Sequence, residues 1–192
     1  LMGQTVIQGE YFFRRQEMVA AFKFTENGRF EFFYSYGAVD RSASGHFTID
    51  KDTIRLNSDK EPGHDFIIDK QYQEGSAYTI YCHAPNAQLL PYMQCIAFVG
   101  DQKYSFESDS KGVILVDLPN CDKIYVRHTL FPDIPTLIKD EKNSNNRFEI
   151  SLQPSVQQLS FKGIDLLIKD DHTLSCMPNY FMPIENILFK KD

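Results

Sequence analysis

Ser44-Gly45-His46 sets a hydroxyl and an imidazole two residues apart, just after the charged group Asp40-Arg41-Ser42. Serine hydrolysis needs the nucleophile in hydrogen-bond reach of its base, on a strained elbow that the missing G-x-S-x-G pattern would supply. On a strand, residues two apart share a face at about 7 Å, too far for that bond. Ser44 and His46 therefore read as ordinary strand residues. Cys82-His83 is the next candidate, as a metal pair. Adjacent strand residues project to opposite faces and cannot both ligate one ion without a bulge. His64-Asp65 and Asp171-His172 fall in a loop and a turn, and neither an HxH nor an HxxxH pair occurs, so no metal site is expected.

Glu107-Ser108-Asp109-Ser110-Lys111-Gly112 carries acids at the first and third positions of a calcium loop and Gly at the sixth. Lys111 stands at a ligand position, however, and Leu118 replaces the bidentate acid, so the segment reads as a hairpin turn. Most other carboxylates, including Asp50, Asp52, Asp59, Glu61, Asp170 and Asp171, sit in turns, where solvation accounts for them. Paired-acid chemistry needs two such groups converging in a cleft, which no spacing here requires. No catalytic residue and no cofactor is expected.

The 192 residues hold 16 Phe and 10 Tyr but no Trp, with a formal charge of −6. No basic run is present, so nucleic acid and anionic membrane surfaces are poor partners. Lys139 to Arg147 (KDEKNSNNR) is mixed in sign and reads as a solvated loop. No apolar stretch approaches the roughly 18 residues of a membrane span. The opening Leu1-Met2-Gly3-Gln4 reads either as the stump of a cleaved export signal or as a tag remnant. The expected location is extracytoplasmic, in a periplasm or at a cell surface, with the cytoplasm as alternative. Cys82, Cys95, Cys121 and Cys176 include no CxxC; Cys82 and Cys176 share strand faces with Ile80 and Leu174, and one disulfide remains open.

These residues are positioned by strands. Met18, Ala20, Phe22 and Phe24 alternate on even positions, Asn27-Gly28 supplies a hairpin turn, and Phe30, Phe32, Tyr34 and Tyr36 return in the same phase. Phe47 and Ile49, Ile54 and Leu56, and Phe66 and Ile68 continue the series, with Asp40-Arg41-Ser42 as a solvent-facing connection. Later strands are expected at 77–82, 92–99, 103–107, 113–117, 123–127, 147–152 and 164–168, with Ile187 to Phe189 as a closing strand and a short helix allowed near 154–159. Phe33 breaks phase with Phe32 and Tyr34, and Tyr11, Phe12 and Phe13 likewise put rings on both faces. Such outward rings either pack under a second domain, the preferred reading, or form an exposed platform for sugars or a partner.

Gly9-Glu10-Tyr11, FKFTENGRFEF and SGHFTIDKDTIRL resemble the lipocalin-like meander of small bacterial extracytoplasmic proteins. Leu90-Pro91, Asp109-Ser110-Lys111-Gly112, Leu118-Pro119 and Ile124-Tyr125-Val126 resemble the strand and turn order of the prealbumin-like sandwich of carboxypeptidase regulatory domains. The expected architecture is all-β, a meander over 1–72 packed on a sandwich over 73–192. The resemblances imply a non-catalytic binding or interaction module with a protein or small-molecule partner. The alternative is a binder of a small apolar ligand or a carbohydrate through the aromatic face of the meander, with Phe22, Phe32, Phe33, Tyr34 and Phe47 as the contact residues. An enzyme using dispersed carboxylates is a third possibility.

Overall fold

A computed structural model describes residues 6–192, so the Leu1 to Gln4 opening lies outside the described residues. Its architecture is all-β: a closed eight-stranded barrel and two four-stranded sheets. Five strands open the chain: β1 (Gly9–Arg15), β2 (Met18–Phe24), β3 (Arg29–Tyr36), β4 (Val39–Asp50) and β5 (Thr53–Ser58). Each pairs antiparallel with the next, and the even phase of β2 and β3 is buried from Met18 to Tyr34 as the alternation predicts, while Tyr36 at the end of β3 is half-exposed.

The chain then forms β6 (Phe66–Tyr72), β7 (Tyr78–His83), β8 (Met93–Val99), β9 (Gln102–Glu107), β10 (Val113–Val116), β11 (Lys123–His128), β12 (Thr136–Lys139) and β13 (Arg147–Leu152). One sheet has the order β10-β7-β13-β6 and the other β12-β11-β8-β9, with β7 and β13 parallel. Three last strands follow: β14 (Asp165–Asp170), β15 (Thr173–Cys176) and β16 (Ile187–Lys191). β14 pairs with β5 through Leu166 and Ile54, and β16 pairs with β1 through Lys191 and Tyr11, which closes the barrel.

The division at 72/73 is therefore corrected. Among the described residues the barrel unit comprises 6–61 and 157–192, and the sheet unit 62–156. β6 alternates like its predecessors, yet it pairs with β13 rather than β5, because β14 takes the free edge of β5. The two ends of the sheet unit are held side by side, with Gln153 N–H donating to Asp65 O at 2.8 Å and Ser155 Oγ to Asp65 Oδ1 at 2.9 Å. The Leu90-Pro91 segment lies in a 3-10 helix over Ala87–Tyr92, capped by Asn86, rather than in a strand.

A second correction falls on Asp40-Arg41-Ser42. The β3–β4 turn is Gly37-Ala38, and these three residues lie inside β4. Asp40 and Ser42 face outward, but Arg41 points inward at 2% exposure, opposite Tyr34 and with Nη2 3.4 Å from Gln158 O. The run 139–147 is likewise no plain solvated loop. Asn146 is buried and its Nδ2 serves the carbonyls of Glu74, Gly75 and Ala77, while its Oδ1 accepts from Glu74 N–H. That one amide shapes the turn between β6 and β7.

Candidate functional site

Three of the five residues expected to line a ligand pocket fill the barrel instead. Phe22, Phe32 and Tyr34 are buried among the rings of Phe24, Phe30, Phe161, Phe181 and Phe189. Phe22 lies 4.6 Å from Phe32, 4.9 Å from Phe189 and 5.7 Å from Phe161, and Tyr34 meets Phe181 at 5.9 Å. These are tilted and edge-to-face contacts of a packed interior. Phe161 and Phe181 come from connecting segments. Leu159 N–H donates to Ser42 O, and Ser58 N–H to Phe161 O, so residues 158–161 run beside β4 and β5 into the core. The only trace of this in sequence is a pair of apolar islands, Leu159 to Phe161 and Tyr180 to Met182, without strand alternation.

Phe47 is half-buried, edge-on to Phe24 at 5.0 Å, and lines a cleft of about 680 Å³ with Ile7, Thr25, Glu26 and Ile49. Some of the polar groups there already pair, as in Gln8 Nε2 donating to Glu26 Oε1. Phe33 is placed differently. Its ring is 47% exposed on the outer wall of the barrel.

Strand register defines what surrounds that ring. Phe12 of β1, Ala21 of β2, Phe33 of β3 and Ser42 of β4 are successive partners in one row across the wall. With neighbouring strands about 4.8 Å apart, Phe12 and Phe33 stand roughly 10 Å apart over the small side chain of Ala21. Between them is a shallow groove of about 260 Å³, bordered by Glu10, Lys23 and Glu31. The Arg14 guanidinium lies 4.4 Å from the centroid of the Phe12 ring. On the far side Ser35 Oγ donates to Asp40 Oδ1 at 2.6 Å.

The suspected hydrolytic pair lies one to two rows away and does not meet. Ser44 Oγ is 3.4 Å from Asp59 Oδ2, while Arg29 Nη1 donates to His46 Nε2 at 3.0 Å and to Asp59 Oδ1 at 3.0 Å. A guanidinium on Nε2 makes that nitrogen the acceptor, so the ring proton belongs on Nδ1. The hydrogen bond from Arg29 holds the Asp59 carboxyl below its ordinary range. Gly45 permits this arrangement, because a Cβ there would stand 2.1 Å from Asn57 O. The group is an ion-paired clasp between β3, β4 and the end of β5, with the imidazole lone pair already engaged.

In the sheet unit, the Asp109 carboxylate accepts from Lys111 N–H and Val113 N–H, both at 2.9 Å, which is turn chemistry and not a calcium loop. A cleft of about 720 Å³ lies along Tyr78 and Leu115 to Pro119. All four cysteines are free and buried; burial pushes Cys82 and Cys95 up to about 12 and Cys176 up to about 11, far from nucleophilic thiolates. Among the described residues no three His, Cys, Asp or Glu side chains are grouped to hold a metal, and no helix is long and apolar enough to cross a membrane. Comparison with protein-family models, curated proteins and solved structures finds no match to this chain.

Proposed function

We propose that this chain is a binding module that takes its ligand on the outer wall of the barrel, at the groove between Phe12 and Phe33, and performs no covalent chemistry. The observation that carries this is the exposed, outward ring of Phe33, in a strand whose inward rings Phe30, Phe32 and Tyr34 are buried. The rings of Phe22, Phe32, Phe161 and Phe181 pack against one another in the interior, which supports a site on the outer wall over one among these rings. The separation of Ser44 from His46, each committed to the Arg29–Asp59 clasp, supports binding over hydrolysis.

The lipocalin-like and prealbumin-like relationships belong to the same proposal, supported by the up-and-down closure of the barrel and the two facing-sheet orders. An extracytoplasmic setting is part of the same proposal and requires the four free thiols to be shielded from oxidation; all four are buried. The test is saturation-transfer NMR with three probes: dodecanoate, a neutral oligosaccharide mixture and an apolar extended peptide. Binding should vanish in Phe33→Ala and persist in Phe47→Ala and Leu115→Ala. Binding that survives Phe33→Ala but is lost in either other variant would move the site to a different cleft.

A further inference from the structure

We infer that the ligand of this groove is a neutral oligosaccharide; the inference rests on the outer-wall reading above. A sugar unit offers two surfaces, a C–H face that stacks on an aromatic ring and a hydroxyl rim that needs donors and acceptors. The Phe33 ring supplies the first, and its neighbours on the same face supply the second. Ser42 stands directly across on β4 and Ala21 on β2, Glu31 and Ser35 flank Phe33 along β3, and Asp40, Lys23 and Val19 lie on the diagonals, the hydroxyl of Ser44 being turned to Asp59. Directly opposite partners are about 5 Å away and diagonal ones about 7–8 Å, within reach of the rim of a stacked ring.

Other ligand classes fit this surround poorly. An acyl chain or apolar peptide laid from Phe33 toward β4 would cover the Ser42 hydroxyl and the Glu31 carboxylate without replacing their water, which leaves those groups unpaired. An acidic ligand would meet Glu31 and Asp40 beside the ring. The nearest cations are Lys23, which stands opposite Glu31, and Arg14, which lies over Phe12 and 3.6 Å from Asp192. The second ring, Phe12, lies two strands away across Ala21, so the groove spans more than one sugar unit and favours oligomers over monosaccharides.

The chain contains no Trp, so Phe33→Trp places one fluorophore at the site. The experiment titrates this variant with neutral gluco-, manno-, galacto- and xylo-oligosaccharides, glucose, an oligogalacturonate, dodecanoate and an apolar peptide. A saturable emission change is expected with at least one neutral oligosaccharide, at least tenfold weaker with glucose or the oligogalacturonate. Ser42→Ala and Phe12→Ala, added singly, should each weaken it by about fivefold or more while leaving the melting transition in place. If dodecanoate, the peptide or the oligogalacturonate changes the emission and no neutral oligosaccharide does, the sugar assignment fails and the outer-wall site stands. If no probe changes it, both are overturned.

Discussion

The barrel and the sheet unit bury comparable numbers of residues with different materials. Among the described residues, nine of the 21 buried core residues of the barrel are Phe or Tyr, against two of 16 in the sheet unit, where Ile, Val and Cys predominate. The difference follows from geometry. Two sheets face to face are only about 10 Å apart, and branched aliphatic chains span that distance. A closed barrel leaves an axial volume that short side chains do not reach, so long rigid rings from opposite walls must meet there. Here they do meet, with Phe161 and Phe181 completing the fill from segments outside the strands. Closing this barrel fills its interior with rings, and Phe33 is left on the outside.

The largest expected effect is on the interior. Phe22→Ala should cost about 3–5 kcal/mol in urea unfolding, because five ring neighbours lose contact around a cavity. Ile80→Val in the sheet unit should cost only about 0.5–1.5 kcal/mol. A Phe22→Ala cost near 1 kcal/mol would mean that the rings are not the barrel's support. Next comes the buried amide of the sheet unit. Asn146→Ala strips three carbonyls of their donor and should cost about 2–4 kcal/mol. Proteolysis should then cut first between β6 and β7, and cleavage elsewhere would disprove the role given to Asn146.

The smallest effect is electrostatic and separates the two units by salt. Asp59 in the barrel is held low by Arg29, and Asp109 in the sheet unit by backbone N–H groups, Val113 first. A carboxyl lowered in the folded state stabilises above its unfolded pKa of about 4, and loses that contribution as pH falls through the folded value. Both sites are exposed, so each contribution is small. Melting temperatures of Asp59→Asn and Asp109→Ala should lie below wild type at pH 6, and each difference should shrink as pH falls through the folded pKa of the carboxyl. Raising the ionic strength should shrink the Asp59 difference more, since screening acts on an ion pair. Equal salt sensitivity would show that Arg29 is not the cause.

Much of this fold is legible from side-chain phase. Phe22, Phe32 and Leu174 sit on the faces their alternation assigns, and the Asp109 turn and the Ile187 to Phe189 strand are where turn chemistry and apolar content put them. Phase identifies a face but not a partner. Phe66 and Ile68 therefore joined the meander, although β6 pairs with β13, and nothing local in Tyr11 reports that its partner is Lys191. Arg41 reads as solvated because it stands between Asp and Ser, yet its position in the β4 alternation turns it inward. In the candidate site, Phe33 was legible as the residue out of phase. Its neighbours Phe12, Ala21 and Ser42 were not, because they belong to three other strands and only the register assembles them.

The most direct test of a filled barrel that binds on its outer wall is an aromatic carbon–proton spectrum of the phenylalanine-labelled chain, titrated with a neutral oligosaccharide mixture. The account predicts that the ring signals of Phe12 and Phe33 move with saturation while those of Phe22, Phe32 and Phe161 stay fixed. Movement of the three interior rings with Phe33 unchanged would place the ligand inside the barrel and contradict it.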